Sequence, residues 1–145
     1  MRAVVQRVGE ASVKTEQKVI GKIGKGLVVL IAISKNDSME NADKMADKIT
    51  NLRIFEDSNG KMNLSCLEVS GEILVISQFT LYGDCRKGRR PSYDMAGSPE
   101  TAEQLYNYFV RKIKEYPLKI ETGVFGAMMS VYLVNEGPVT LIIET

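Results

Sequence analysis

The chain has 145 residues, a net charge of +1 and no histidine. This length suits one domain with its own core, and the missing histidine excludes Ser-His-Asp and Cys-His catalysis. Two cysteines cannot form a usual zinc site. With no secretory signal and no run of the ~20 apolar residues that a membrane span needs, we expect a single cytoplasmic domain.

The first part of the chain is predicted to consist of strands. Short apolar segments with partial alternation, separated by charged or turn residues, are typical of strands, and they occur at 3–8, 11–15 and 18–24. Residues 27–34, LVVLIAIS, are apolar without alternation. This pattern indicates a central strand that is covered on both faces.

Two helices are predicted, at about 38–52 and 99–116, because each segment carries an apolar stripe with a period of about 3.6 residues. Asp37 is expected to cap the first helix, with Glu40 completing a capping box. Ser98 is expected to cap the second helix.

Strands are also predicted on either side of the second helix. The DSNG sequence at 57–60 indicates a turn, EILVISQF at 72–79 indicates a second buried strand, and two or three more strands lie within 119–144. Because strands outnumber helices and separate the two helices, the predicted fold class is α+β.

A polar segment, SQFTLYGD, follows the buried strand at 77–84. Ser77, Gln78 and Thr80 bring uncharged hydrogen-bonding groups to a strand end, where side chains are well placed to meet a ligand. The alternative is that these side chains only satisfy nearby backbone groups.

A cationic loop, CRKGRRP, follows at 85–91. Since the whole chain has a net charge of only +1, this loop concentrates positive charge that the rest of the chain balances. It is either a phosphate-binding loop, with Tyr82 and Tyr93 beside it to stack on a base, or an ordinary solvated surface.

The segment NEGPVT, at 135–140, lies between the strand-like runs SVYLV and VTLIIET. Its Asn, Gly and Pro residues favour a turn that reverses the chain. Alternatively, a cis Gly137-Pro138 bond would present two carbonyl groups with fixed geometry.

Taken together, these segments resemble the D-aminoacyl-tRNA deacylase family. The resemblance runs from MRAVVQRV at the start, through RIFEDSNGKMN and GRRPSY, to TGVFGAMMSVYLVNEGPVT. Both family signatures, SQxxL and NxGPxT, are complete here, at 77–81 and 135–140.

The resemblance implies a cytoplasmic homodimer that hydrolyses the ester linking a D-amino acid to the 3′ end of tRNA, without metal or cofactor. It implies a layered β/β/α fold, with two packed, mostly antiparallel or mixed sheets and two helices covering one side. Gly137-Pro138 of one subunit is expected to enter the active site of the other and to exclude L-amino acids by steric clash. Glycine, which has no Cβ, would pass such a filter, so glycyl-tRNA is also an expected substrate.

The resemblance also assigns residues to roles. The expected catalytic residues are Ser77, Gln78, Phe79 and Thr80. The expected substrate-binding and chiral-filter residues are Arg7, Phe125, Met129, Asn135, Gly137 and Pro138. The charge of the cationic loop, rather than the resemblance, makes Arg86, Lys87, Arg89 and Arg90 the candidate contacts to phosphates of the tRNA.

Other interpretations stay open. Catalysis uses either Thr80 or the 2′-hydroxyl of the terminal adenosine, and Phe79 and Phe125 either contact the substrate or belong to the core. The chain is alternatively a non-catalytic RNA-binding module that uses the loop 86–90, or an unrelated ester hydrolase based on Thr80 or Ser77.

Overall fold

The computed structural model describes residues 1–16 and 18–145. Within these residues the strands are β1 (Arg2–Thr15), β2 (Lys18–Ile23), β3 (Gly26–Ala32), β4 (Arg53–Glu56), β5 (Met62–Ser65), β6 (Glu72–Ser77), β7 (Lys119–Thr122) and β8 (Ser130–Glu144). The α-helices are α1 (Met39–Thr50) and α2 (Pro99–Ile113), and Phe79–Tyr82 forms a short 3₁₀ helix. The α+β prediction is confirmed.

The main sheet has six strands and mixed pairing. Its order is β2-β1-β3-β6-β7, and β8 pairs with the other edge of β1. The β3–β6 and β6–β7 pairs are parallel, whereas β1 pairs antiparallel with β2, β3 and β8. Strands β4 and β5 form a separate two-stranded sheet around the predicted 57–60 turn.

Strand β1 joins the two layers of the molecule. The segments predicted as separate strands, 3–8 and 11–15, form one strand whose first half pairs with β3 and whose second half pairs with β2. Its buried side chains divide accordingly: Ala3 and Val5 belong to one apolar cluster, and Ala11 and Val13 belong to the other. The sheet therefore folds over itself and encloses a second core.

Both faces of β3 and β6 are buried, as LVVLIAIS and EILVISQF predicted. Val29 and Val75 face the cluster that includes both helices, while Val28 and Leu74 face the cluster inside the folded sheet. Strand β6 is therefore held firmly up to its last residue, Ser77.

Helix α1 begins one residue later than predicted, and the prediction of Asp37 as its cap is wrong. Ser38 is the N-cap. The Asp37 carboxylate instead accepts hydrogen bonds from the Met1 ammonium at 2.7 Å and from the Ser34 N–H at 2.6 Å. Asn41, not Glu40, faces back to the cap, because its Oδ1 accepts from the Ser38 N–H at 2.9 Å.

Helix α2 follows the prediction at its start and ends three residues early, at Ile113. The Ser98 hydroxyl accepts from the Thr101 N–H at 3.3 Å, as expected of an N-cap. None of the helices in the described part of the chain has the length and apolar character to cross a membrane.

Candidate functional site

The polar segment 77–80 lies where β6 leaves the sheet. The Gln78 N–H donates to the Ile31 carbonyl of β3 at 2.8 Å, which fixes the start of the segment. The chain then enters the 3₁₀ helix, and the Gln78 side-chain amide donates to the Thr80 hydroxyl at 2.5 Å. Tertiary pairing thus holds the backbone, and a local hydrogen bond holds the Thr80 side chain.

This segment is open to solvent. Ser77 and Gln78 are half-buried, while Phe79 and Thr80 are exposed. The N–H groups of Phe79 and Thr80 lie in the first turn of the 3₁₀ helix, where no carbonyl of the same helix can accept from them. In the described chain, the Gln78 amide is the one hydrogen-bond partner of the Thr80 hydroxyl, so no side-chain base contacts that hydroxyl.

Arg2 anchors one side of the 3₁₀ helix. Its Nη1 donates to the Leu81 carbonyl at 2.8 Å, and its guanidinium lies 4.9 Å from the centroid of the Tyr82 ring. Burial, together with the nearby Asp37 charge, raises the pKa of Tyr82, so this hydroxyl remains a neutral donor. Arg2 has no part in either signature motif, and sequence reasoning missed it.

The cationic loop is closed at its base and partly neutralised. Asp84 and Ser92 exchange backbone hydrogen bonds of 2.7 and 3.0 Å. Arg86 donates from Nε and Nη2 to the two Asp84 carboxylate oxygens, at 2.9 and 2.6 Å. These bonds lower the pKa of Asp84 to about 2, so the pair is ionised at neutral pH.

Arg86 therefore differs from the other predicted phosphate contacts. Lys87, Arg89 and Arg90 are exposed, and they have no ion-pair or side-chain hydrogen-bond partner within residues 1–16 and 18–145. The loop offers three free cations rather than four.

NEGPVT is not a turn between two strands. Strand β8 runs through it, with Asn135 opposite Val8 and Thr140 opposite Gln6 on β1. Residues 136–139 therefore bulge out of the ladder opposite Arg7. The Gly137-Pro138 peptide bond within this bulge is cis, and both residues are exposed.

Asn135 closes the bulge. Its Nδ2 donates to the Arg7 carbonyl and to the Val139 carbonyl, both at 2.9 Å. Its Oδ1 accepts from the Thr140 hydroxyl at 3.3 Å, and that hydroxyl accepts from the Gln6 amide at 3.2 Å. The Asn and Thr of the NxGPxT motif thus tie the two ends of the bulge together.

Arg7 supports the bulge from inside. Its Nη1 donates to the Ile54 carbonyl at 2.7 Å, and its Nη2 lies 3.9 Å from the Glu56 carboxylate. The Nε is buried without a hydrogen-bond partner in the described part of the chain. A Cβ on Gly137 would lie 3.1 Å from Arg7 Nη2, and Gly137 has φ of +114°, so glycine fits both the space and the conformation.

Met129 and Phe125 occupy different positions. A Cβ on Gly123 would lie only 2.5 Å from the Met129 sulfur, so the half-buried Met129 covers Gly123 at the end of β7, beside Ile76. Phe125 packs against Tyr106 of α2, with ring centroids 5.6 Å apart, at the edge of the helix-side core. Phe125 therefore contributes to the core.

The two signature segments are far apart within one chain. Ser77 pairs with Ile31, and Ile31 pairs with Ala3, whereas the bulge lies opposite Arg7. Four residues of β1 span about 13 Å, and three interstrand spacings from β6 to β8 span about 14 Å, which gives a separation on the order of 20 Å.

In the described residues, no group of three or more Cys, Asp or Glu side chains is arranged to hold a metal ion.

Comparison with known proteins identifies a family that this chain matches over nearly its whole length. The family model described as D-Tyr-tRNA(Tyr) deacylase matches residues 4–144. A D-aminoacyl-tRNA deacylase of Thermosipho melanesiensis is 60% identical over 146 residues, covering 100% of this chain and 97% of the relative. Among solved structures, one named c-Myc DNA Unwinding Element Binding Protein matches with a TM-score of 0.95 at 43% identity, covering 100% of this chain and 99% of the other.

A second structure, described as a probable eukaryotic D-amino acid tRNA deacylase, has a TM-score of 0.87 at 19% identity, covering 99% of this chain and 98% of that one, and it supports the fold alone. The family match and the identity to curated relatives both extend over nearly the whole chain. This chain belongs to the D-Tyr-tRNA(Tyr) deacylase family.

Proposed function

We propose that this protein hydrolyses the ester between a D-amino acid and the 3′ end of tRNA, releasing free D-amino acid and tRNA in the cytoplasm. The observation that carries the proposal is the arrangement of residues 77–80 at the end of the buried strand β6, where N–H groups of exposed residues have no acceptor within the 3₁₀ helix and the Thr80 hydroxyl is held by a hydrogen bond. An aminoacyl ester is already reactive, so positioning and stabilisation of a developing oxyanion suffice.

The proposed reaction needs no side-chain base. Water attacks the ester carbonyl carbon, the carbonyl oxygen becomes an oxyanion near the N–H groups of Phe79 and Thr80, and the 3′-oxygen leaves with a proton. Thr80 is a poor nucleophile, because within the described residues its hydroxyl has a hydrogen bond to the Gln78 amide alone and none to a base. We favour activation of the water by the 2′-hydroxyl of the terminal adenosine.

Thr80→Ala separates these routes. If the RNA hydroxyl activates the water, the variant keeps most of its activity on D-tyrosyl-tRNA, and a substrate ending in 2′-deoxyadenosine is inert. A complete loss of activity in Thr80→Ala, with Thr101→Ala as an exposed-hydroxyl control, would show that the Thr80 hydroxyl drives the chemistry.

The proposed chiral filter is the main chain at Gly137-Pro138. A filter that reads the configuration at Cα must lie against an atom bonded directly to the reacting carbonyl carbon. The separation on the order of 20 Å within one chain is far too long for this. We therefore propose a homodimer in which the bulge of each copy reaches the 77–80 segment of the other.

A mixed dimer tests this arrangement. One subunit carries Thr80→Arg, which fills its own site, and its differently tagged partner carries Gly137→Ala, which disturbs the bulge. If the filter acts across the dimer, the remaining open site faces an intact Gly137-Pro138 and still rejects L-tyrosyl-tRNA. Hydrolysis of both enantiomers by the mixed dimer would show that the filter acts within one chain.

Glycyl-tRNA is a further proposed substrate. A main-chain filter near Cα has nothing to clash with when the amino acid lacks a Cβ. Release of glycine from glycyl-tRNA at micromolar enzyme is the expected result. Complete inertness toward glycyl-tRNA, with D-tyrosyl-tRNA hydrolysed in parallel, would contradict steric exclusion at Cα.

We propose that the cationic loop binds phosphates of the tRNA. Lys87, Arg89 and Arg90 supply the free charge, while Arg86 holds the loop through Asp84. The double variant Arg89→Glu/Arg90→Glu should weaken tRNA binding and reduce its salt dependence. Lys48→Glu/Lys114→Glu, at exposed positions on α1 and just after the end of α2, is the matched control and should leave both unchanged.

The second candidate function is binding of nucleic acid without hydrolysis. The free cations of the loop favour it, and one structural relative at 43% identity is named as a DNA-binding protein. Release of D-tyrosine from D-tyrosyl-tRNA, measured against the L-enantiomer, decides between the two. Tight tRNA binding with no release of either enantiomer would leave the binding function alone.

A further inference from the structure

The short 3₁₀ helix is held at both of its ends by parts of the chain outside it. At its start, the Gln78 N–H donates to the Ile31 carbonyl of β3 at 2.8 Å. At its end, the Leu81 carbonyl accepts no backbone hydrogen bond within the described residues, as is usual for the last turn of a helix. Arg2 supplies a donor there, because its Nη1 lies 2.8 Å from this carbonyl oxygen.

The Arg2 guanidinium makes two further contacts at the same time. Its Nε donates to the Glu144 carboxylate at 2.6 Å, and its plane lies 4.9 Å from the centroid of the Tyr82 ring. A planar group with separate donors can make all of these contacts at once, whereas a lysine ammonium is a single point of charge. Because Leu81 and Tyr82 are the last two residues of the helix, Arg2 holds its C-terminal end.

Glu144 orients Arg2 more than it stabilises the fold. The Glu144 side chain is 60% exposed, and an ion pair that water reaches contributes little to stability. The charged hydrogen bond from Arg2 to the half-buried Leu81 is of the stronger kind. The contact with Leu81 is therefore the one that restrains the helix.

The orientation of this helix sets the direction of the N–H groups at its other end. The helix has only four residues, so a tilt of the end that Arg2 holds also turns the N–H groups of Phe79 and Thr80. Donors to a developing oxyanion must lie roughly 2.7–3.1 Å from that oxygen. A misplacement of about 1 Å can therefore cost much of the rate.

We propose that Arg2 is a positioning residue for the hydrolysis. By holding the Leu81 carbonyl and the Tyr82 ring, it keeps the Phe79 and Thr80 N–H groups aimed at the place where the oxyanion forms. The inference rests on the proposed function, and it assigns Arg2 no contact with the substrate. Loss of Arg2 should therefore slow the chemical step and leave the binding of substrate intact.

The kinetic test compares two substitutions of Arg2. Arg2→Met keeps most of the side-chain stem and removes every donor, and Arg2→Lys keeps the charge and one donor position. In single-turnover and steady-state assays on D-tyrosyl-tRNA, kcat should fall roughly 10- to 100-fold in Arg2→Met, with KM nearly unchanged. Arg2→Lys should recover part of the lost kcat.

A matched control removes another arginine that lies over a tyrosine. Arg111, at an exposed position of α2, has its guanidinium 5.6 Å from the centroid of the Tyr108 ring. Arg111→Met makes the same chemical change away from residues 77–82 and should leave kcat and KM unchanged. Wild-type kcat in Arg2→Met would overturn the proposal, and so would a loss of activity that appears in KM alone.

Amide hydrogen exchange measures the restraint without catalysis. The N–H groups of Leu81 and Gly83 donate within this turn, to the Gln78 carbonyl at 3.2 Å and the Thr80 carbonyl at 2.9 Å. In Arg2→Met their exchange should speed up by about tenfold or more, because the turn opens locally more often. The Ala102 N–H, which donates to the Ser98 carbonyl at the start of α2, should exchange as in the wild type.

The two measurements separate this inference from the proposed function. If the wild type hydrolyses D-tyrosyl-tRNA and Arg2→Met matches it in both kcat and exchange, the deacylase function stands and the positioning role fails. If the wild type hydrolyses no D-tyrosyl-tRNA while exchange speeds up in Arg2→Met, Arg2 orders the helix and the deacylase function fails.

Discussion

The substitution Asn135→Asp tests how the NEGPVT bulge is held. Asparagine and aspartate have the same shape, but aspartate lacks the NH2 group that donates to the Arg7 and Val139 carbonyls, each at 2.9 Å. The variant therefore removes two hydrogen bonds without making a cavity. It also brings a carboxylate against two carbonyl oxygens.

The expected loss of stability follows from these contacts. Each hydrogen bond contributes about 0.5–1.5 kcal/mol, and a half-buried carbonyl left without its donor adds to the cost. We expect the free energy of unfolding to fall by about 2–3 kcal/mol. For a chain of this size that corresponds to a decrease in Tm of roughly 4–12 °C.

Thermal unfolding and stereoselectivity are measured on the same preparations. Asn107→Asp, at an exposed position of α2, makes the same chemical change where the side chain has no hydrogen bond among the described residues, and its Tm should change little. If the bulge is the chiral filter, Asn135→Asp also raises the rate on L-tyrosyl-tRNA relative to the D-form. An unchanged Tm and an unchanged D-to-L ratio would refute the role assigned to Asn135.

Three further predictions concern Gly137, the two cysteines and the cationic loop. Gly137→Ala places a side chain on a residue with φ of +114°, and its Cβ would lie 2.8 Å from a methyl carbon of Val139. The variant should therefore lower the free energy of unfolding by about 1–3 kcal/mol and reduce the preference for D- over L-tyrosyl-tRNA. Burial raises the pKa of the Cys66 thiol to about 12, so iodoacetamide at pH 8 should label exposed Cys85 alone, and labelling of both thiols in the native protein would contradict this. Asp84→Asn should speed tryptic cleavage of the cationic loop, with Asp94→Asn as the control. Because the hydrogen bonds from Arg86 lower the Asp84 pKa to about 2, the carboxylate stays ionised and wild-type protection should be constant from pH 5 to 9, the range in which trypsin reports it.

The central strands were predictable because their signal is dense and local. Residues 27–33 and 73–76 are apolar at every position, and a strand buried on both faces is the one element of the fold that needs such a sequence. The helices were predictable for a similar reason, since each has one continuous stripe. Their ends were less certain, because the hydrogen bonds that decide a cap come from elsewhere in the fold.

Asp37 illustrates that limit. An aspartate just before a helical stripe is a good cap by local chemistry. In the folded chain its carboxylate accepts from the Ser34 N–H and from the Met1 ammonium, which is 36 positions away. Ser38 is therefore the N-cap of α1. Only the packed structure brings the Met1 ammonium to this carboxylate.

The interpretation of NEGPVT as a turn failed for a related reason. Asn, Gly and Pro indicate that the backbone departs from regular geometry, but they do not say whether the chain then reverses. That outcome depends on pairing with β1, which continues on both sides of the bulge. The resemblance to a known family supplied the residues of this site, and the ladder supplied the reason that Asn135 and Thr140 flank it.

Each signature segment is held in shape by its own chain. A hydrogen bond to the Ile31 carbonyl of β3 fixes Gln78, and hydrogen bonds from Asn135 to its own strand and to β1 fix the bulge. If the site is completed by a second copy, dimerisation does not need to fold either half and only brings two finished halves together. It follows that a variant that dissociates the dimer should keep the Asn135 contacts and the Gln78 contacts, and should lose discrimination between D- and L-substrates before it loses its fold.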